Sequence, residues 1–376
     1  MILPVPVGTR LVTTCVAPVG VARSAPAGAS VVERPARVAH NLALARQPWT
    51  WAATPWQAFP ETTAPGRGWS LSQSVARRSC FGGVVCLEER WVWVADSPGA
   101  EVDAASLQAH WSSITRAHTE GESGCVEPDQ ASAWHFPVCT LMPGEALDEA
   151  PHARWVALVR EATTAVRNEP ATLEDPVLVA AMSWDVAFCL LHAKDAETEE
   201  MLPFLVLLAS VDWHAHERAI WDTRATLAEP MDARETLRRL RAAQRTYVSA
   251  LVASEPFDYC WQESDAAFIR TLFDAWAREE LHARTTGMLE HADRLAVDAQ
   301  EQVEREEESV RAWQQSYLNW LVTVMGALGA AGTVAGILSA VDFRAAFLDE
   351  WSRVLAVGAS TLLVIAFLFV PLLRRK

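Results

Sequence analysis

The sequence predicts a mixed α/β or α+β domain over residues 1–200, a helical stalk over 201–320 and two membrane helices over 321–373. Three observations carry this. Residues 321–341 (LVTVMGALGAAGTVAGILSAV) and 354–373 (VLAVGASTLLVIAFLFVPLL) hold no charged residue, and each has about the 20 residues that an α-helix needs to cross a hydrocarbon core. From residue 201 to 320 the chain reads as helix, broken at Pro230 and Pro256. Before it, short apolar runs alternate with helical periodicity, the pattern of packed strand and helix layers.

In chain order, residues 11–19 read as a first strand between Gly8 and Gly20. Residues 47–68 are rich in Pro, Ala and Trp, which predicts a surface excursion with Trp anchors. Residues 80–87 and 90–95 are β-rich runs separated by Glu88 and Glu89, expected as a hairpin or a bent strand. Leu107, Trp111 and Ile114 have helical spacing within 104–118. A strand is expected at 134–141, a helix at 153–166 and one or two buried strands at 177–191, around Trp184 and Asp185.

The helical half opens with an apolar run, 202–227, followed by a second helix at 233–254 that is basic at its front. A third helix is expected to start near Ser264, with Ser264 and Asp265 as caps, and to run unbroken into the first span. To Val341 this is roughly 117 Å at 1.5 Å per residue. Leu289, Ala292, Ala296, Ala299, Val303, Val310, Tyr317 and Leu321 form a partly heptad stripe suited to packing against other helices, of this chain or of its copies. Gly287 is the expected weak point for a kink.

A net charge of −15 makes nucleic acid a poor partner, because phosphate binding needs a basic surface. The seven cysteines are irregularly spaced and include no CxxC, so no disulfide framework is indicated. His110, His118, His135, His152 and the pair His214 and His216, near Cys125 and Cys139, match no tight metal-ligand spacing. No GxSxG, P-loop, HExxH or dinucleotide glycine pattern occurs, and no enzyme or resident cofactor is expected. The amino terminus lacks a basic n-region and Arg10 interrupts its apolar run, which argues against a cleaved signal peptide.

The flanks of the two spans predict orientation. The Arg374-Arg375-Lys376 ending belongs on the cytoplasmic side by the positive-inside rule. Two spans then place residues 1–320 in the cytoplasm and 342–353 outside, in a cell (inner) membrane. Trp313, Tyr317, Trp320 and Trp351 fall near the expected water interfaces. Gly326, Gly329, Gly332 and Gly336 give the first span a small-residue face, read either as an oligomeric packing ring or as a contact with the second span. Thr323 and Thr333 either line a pore or bond back to their own helix. Residues 262–311 carry a net charge of −7, with Glu301, Glu304, Glu307 and Glu308 clustered where repetition around an axis would attract cations, or where a single helix would present a solvated face.

This layout resembles the CorA-type magnesium channel family, also called the two-helix GxN family. The resemblance rests on a mixed domain followed by antiparallel helices and a long stalk helix, then the short loop, second span and basic tag. It is good from residue 201 onward and coarse before it. Ala335-Gly336-Ile337 resembles the family step preceding its Gly-Met-Asn signature, and Ser339, Ala340 and Val341 stand where that signature would be.

The resemblance implies a homopentamer whose first span lines a pore, with Leu318 and Leu321 at an apolar constriction and Glu304 near an acidic ring. It also implies a divalent cation such as Mg²⁺ as the transported or regulatory ion. Val341 lacks the side-chain carbonyl that the family uses to hold a hydrated cation, so Mg²⁺ selectivity is doubtful and Asp342 is the candidate substitute. Two functions follow as expectations. One is a CorA-like cation channel or transporter; the other is a non-transporting membrane-anchored sensor or effector whose cytoplasmic domain binds a small-molecule or protein signal.

Overall fold

The computed structural model describes residues 2–21, 26–33, 35, 37, 51–125, 135–143, 149–164, 170–175, 177–191, 196–229, 232–260, 262–340 and 359. The chain divides into two compact units, Met1–Ala296 and Val297–Lys376. The amino-terminal region is mixed α/β, and a long helix follows it.

Among the described residues, the first unit is built on a ten-stranded sheet. The long strands β2 (Arg10–Val21), β6 (Trp69–Phe81) and β7 (Val84–Ala95) form its centre, β7 lying between β2 and β6. On the other side of β2 the order is β9 (Phe136–Met142), β12 (Ala187–Leu191), β11 (Leu178–Met182) and β10 (Ala171–Glu174). The short strands β3 (Ser30–Val31), β4 (Ala52–Ala53) and β5 (Gln57–Ala58) finish the β6 side. β9 and β12 pair in parallel and the other pairs are antiparallel. A separate two-stranded ribbon joins β1 (Ile2–Pro4) to β8 (Glu101–Asp103).

Helices cover both faces of the sheet. On one face lie α1 (Ala104–Cys125) and α2 (Glu149–Thr164), with Leu107, Ile114, Trp155 and Leu158 in a core shared with Leu11, Leu87 and Trp91. On the other lie α3 (Ala196–Ala228) and α5 (Glu263–Ala275), whose Phe204, Leu205, Phe268 and Leu272 pack with Val12, Val84 and Phe136. Alternation along β7 explains the division: Val84, Cys86 and Val92 join the second core, while Leu87, Trp91 and Trp93 join the first.

The β6–β7 hairpin decides between the two sequence readings of residues 80–95: one strand runs through Glu88 and Glu89, and no hairpin turns there. The turn is at Gly82-Gly83, both with positive φ (58° and 82°), as a tight hairpin turn requires. Glu88 and Glu89 instead sit inside β7, buried on opposite faces. Their charge suggested a turn, yet each finds a partner. Glu88 accepts from the Arg77 guanidinium at 2.7 and 3.0 Å, and Glu89 lies 2.5 Å from Nδ1 of His118.

The helical half begins as expected. α4 covers Ala233–Ser254, and Asp232 caps it by accepting from the Glu235 N–H at 2.8 Å. Leu240 of α4 packs against Ala292 and Ala296, so part of the heptad stripe is covered within the chain. The third helix is not continuous from Ser264. α5 starts at Glu263, with Ser264 and Asp265 inside its first turn and not capping it, and ends at Ala275; α6 (Arg278–Ala340) starts after a break. The break is at Ala277, with φ 50°, and not at Gly287, which lies inside α6. Trp276, fully buried against Phe136 and Trp213, holds the chain at this turn. The strain of a left-handed Ala is thereby offset by aromatic burial.

Candidate functional site

The residues singled out by sequence lie along α6. Leu318 and Leu321 are 60% and 37% exposed, and Trp313, Val322, Met325 and Leu328 are each exposed by more than 60%. Trp313, Tyr317 and Trp320 follow helical spacing and stack in a ladder, with ring centroids 5.6 and 6.1 Å apart. Among the described residues, a methyl group added at Gly326, Gly329 or Gly332 would meet nothing within 4 Å. The result is a helix with large apolar side chains and open glycines that the described chain does not cover.

Several polar groups here bond within their own helix. Thr323 donates to the Asn319 carbonyl at 2.7 Å and Thr333 to the Gly329 carbonyl at 2.8 Å, the back-bonding geometry of hydroxyls in apolar helices. Glu301, Glu304 and Glu308 are exposed and Glu307 half-exposed. Arg305 pairs with Glu301 at 2.9 Å, Arg311 with Glu307 at 3.4 Å, and Gln300 donates to Glu304 at 2.9 Å, all one turn apart. Ser339 and Ala340 belong to the helical backbone, whereas Val341, Asp342 and the second predicted span apart from Ala359 lie outside the described residues. Side chains are described along α6 as far as Thr333, and no helix of the described residues is long and apolar enough to cross a membrane.

The beginning of α6 is anchored by groups that periodicity did not mark. Arg278 donates through Nε and Nη2 to the buried carboxylate of Asp212, at 3.0 and 3.1 Å. The Tyr247 hydroxyl lies 3.2 Å from Nδ1 of His216, which in turn packs edge-on to His282. Burial, ahead of the opposing pull of Asp212, lowers the pKa of His216 to about 4.

The histidines of α1 and the cysteines of the sheet are held by structural contacts. His110 Nδ1 donates to the Thr63 carbonyl at 2.6 Å, and Nε2 accepts from Thr13 at 2.9 Å. Burial takes its pKa to about 4. His118 stacks on His135 with centroids 4.4 Å apart. Burial pushes the Cys15, Cys86, Cys139 and Cys189 thiols up, which disfavours the thiolate needed for nucleophilic or redox chemistry. Among the described residues no group of three or more His, Cys, Asp or Glu is placed to hold a metal ion.

Sequence reasoning also missed a charged cavity of about 470 Å³ in the first unit, on the α3 face of the sheet. Its floor comes from Thr14, Arg77, Glu88 and Arg90. The available signal was alternation: once β2, β6 and β7 are placed, these residues fall at inward positions of an otherwise apolar face. No protein-family model, curated protein or solved structure matches this chain.

Proposed function

We propose that the chain is a CorA-like oligomeric membrane protein, whose α6 continues as the first of two spans and lines a cation pathway with weak Mg²⁺ selectivity. The supporting observation is the exposed apolar surface of α6 from Trp313 to Leu328, with open glycines among it. Water does not favour such a surface; lipid and neighbouring copies of the helix do. A span starting at Leu321 reaches Val341 in about 20 residues, and the Trp313–Tyr317–Trp320 ladder falls where amphipathic rings settle at a membrane interface. In this reading residues 1–320 and the carboxyl terminus are cytoplasmic, and Glu301, Glu304, Glu307 and Glu308 repeat around the axis to concentrate cations.

A second reading is favoured by Val341, which offers no oxygen where the resembled family holds its hydrated ion. In it, the same scaffold is a membrane-anchored sensor or effector that moves no ion. Reconstitution into liposomes separates the two. Cation flux lost in a Leu321→Arg variant that still assembles supports the channel. Intact oligomers that pass no Na⁺, K⁺ or Mg²⁺ support the sensor.

A further inference from the structure

We infer that the cavity on the α3 face of the sheet is a binding site for a basic α-amino acid. The inference concerns the first unit alone and is independent of whether α6 lines a pore.

The cavity floor is built from cross-strand pairs. Thr14 of β2 is the register partner of Arg90 of β7, and Arg77 of β6 is the partner of Glu88 of β7. These four polar residues interrupt a face that is otherwise packed with Val12, Val16, Val84 and Val92. Trp51 and Phe204 stand beside them, 5.4 Å apart by ring centroids, and the volume of about 470 Å³ lies within the usual range for small-molecule sites.

Charge accounting decides what fits. Glu88 is satisfied by Arg77 and by the Trp51 indole N–H at 3.3 Å. Glu199, at the start of α3, is taken by Arg10 through two short contacts of 3.0 and 3.1 Å. Arg90 is left with a single contact to Glu199 at 3.4 Å, and its buried Nε has no hydrogen-bond partner. Burial lowers the pKa of Arg90 against the pull of Glu199, as expected of a guanidinium short of acceptors. Two further acids line the cavity, Glu33 and Glu200; both are exposed and neither makes an ion pair among the described residues.

The charges short of partners are therefore one guanidinium, held only by its long contact with Glu199, and two carboxylates. Their complement is one carboxylate and two ammonium groups on a short apolar chain, which is a basic amino acid such as lysine. Its carboxylate would meet Arg90, with the Thr14 hydroxyl as a second donor, in the fork geometry that guanidinium offers to carboxylate. Its α- and side-chain ammonium groups would meet Glu33 and Glu200, while its methylenes lie along Trp56, the exposed aromatic of the lining.

Isothermal titration on the full-length detergent-solubilised protein tests this with four probes: lysine, cadaverine, 6-aminohexanoate and norleucine. Each of the last three lacks one charged group of lysine. Lysine is expected to bind about tenfold more tightly than cadaverine, which loses the carboxylate contact with the part-buried Arg90, and a few-fold more tightly than the other two, which each lose a contact with an exposed acid. Arg90→Gln should bring lysine to the level of cadaverine while leaving cadaverine unchanged. Glu33→Gln and Glu200→Gln, at exposed positions that keep the fold, should each erase the advantage of lysine over one mono-ammonium probe. The inference is overturned if lysine gives no binding heat, if it binds no more tightly than cadaverine, or if both Glu variants keep full lysine affinity.

Discussion

Arg278 and Asp212 form a two-point ion pair at 3.0 and 3.1 Å that ties the first turn of α6 to the middle of α3. Asp212 has no solvent exposure and the Arg278 side chain only 21%. Breaking such a pair from one side leaves a buried charge without compensation, at a cost of about 3–5 kcal/mol. Arg278→Ala is therefore expected to lower the denaturation midpoint strongly, and Asp212→Asn combined with Arg278→Met to lower it much less. Urea titration of the three proteins checks the order. Equal losses in the single and double variants would show that packing, such as the Arg278 contact with Phe273 at 4.9 Å, and not charge sets the anchor.

Acid should destabilise the first unit through its histidines. Burial holds His110, His135, His214 and His216 at about 4, below their ordinary value of 6.5. The unfolded chain therefore takes up protons first as pH falls. The stability these residues allow is complete above about pH 6.5 and is lost as pH drops toward about 4. For fully buried His110 and His216 the slope is on the order of 1 kcal/mol per pH unit each. Denaturation midpoints measured through that window should fall with pH, and His110→Gln should flatten the dependence. A midpoint independent of pH would contradict this.

Much of the fold was readable because it depends on local pattern. α4 follows from helical periodicity between two prolines, and β2 from an apolar run between glycines. What could not be read was set by distant partners. Glu88 and Glu89 look like a turn until Arg77 and His118 meet them across the sheet and from α1. The Ala277 break carries no glycine or proline and is held by Trp276 packing on Phe136. Of the candidate site, positions on α6 were legible because one helix keeps its own register. The cavity was not, since its floor unites three strands and its rim a loop and a helix.

Selectivity should follow Val341. With no side-chain oxygen at that position, protein in liposomes is expected to show little preference for Mg²⁺ over other cations, measured with ion-sensitive dyes. Strong Mg²⁺ flux blocked by a hexammine cobalt mimic of hydrated Mg²⁺ would contradict this and turn attention to Asp342.

The glycine face of α6 offers a test of packing between copies. Among the described residues a Cβ at Gly332 meets nothing within 4 Å. Gly332→Leu should still separate neighbouring helices, at a cost on the order of 1–3 kcal/mol by analogy with overpacked cores. The oligomer is expected to be lost on size exclusion in detergent, with the thermal melt of the first unit unchanged. Val364→Leu, in the second charge-free stretch, should leave it assembled.

The most direct test of the central proposal is the symmetry of the protein in lipid nanodiscs, resolved by electron cryomicroscopy. A ring of five copies with Leu321, Gly332 and Ser339 of each α6 facing the axis is the predicted result. A monomer, or an assembly in which α6 faces lipid and the second stretch surrounds the axis, would contradict it.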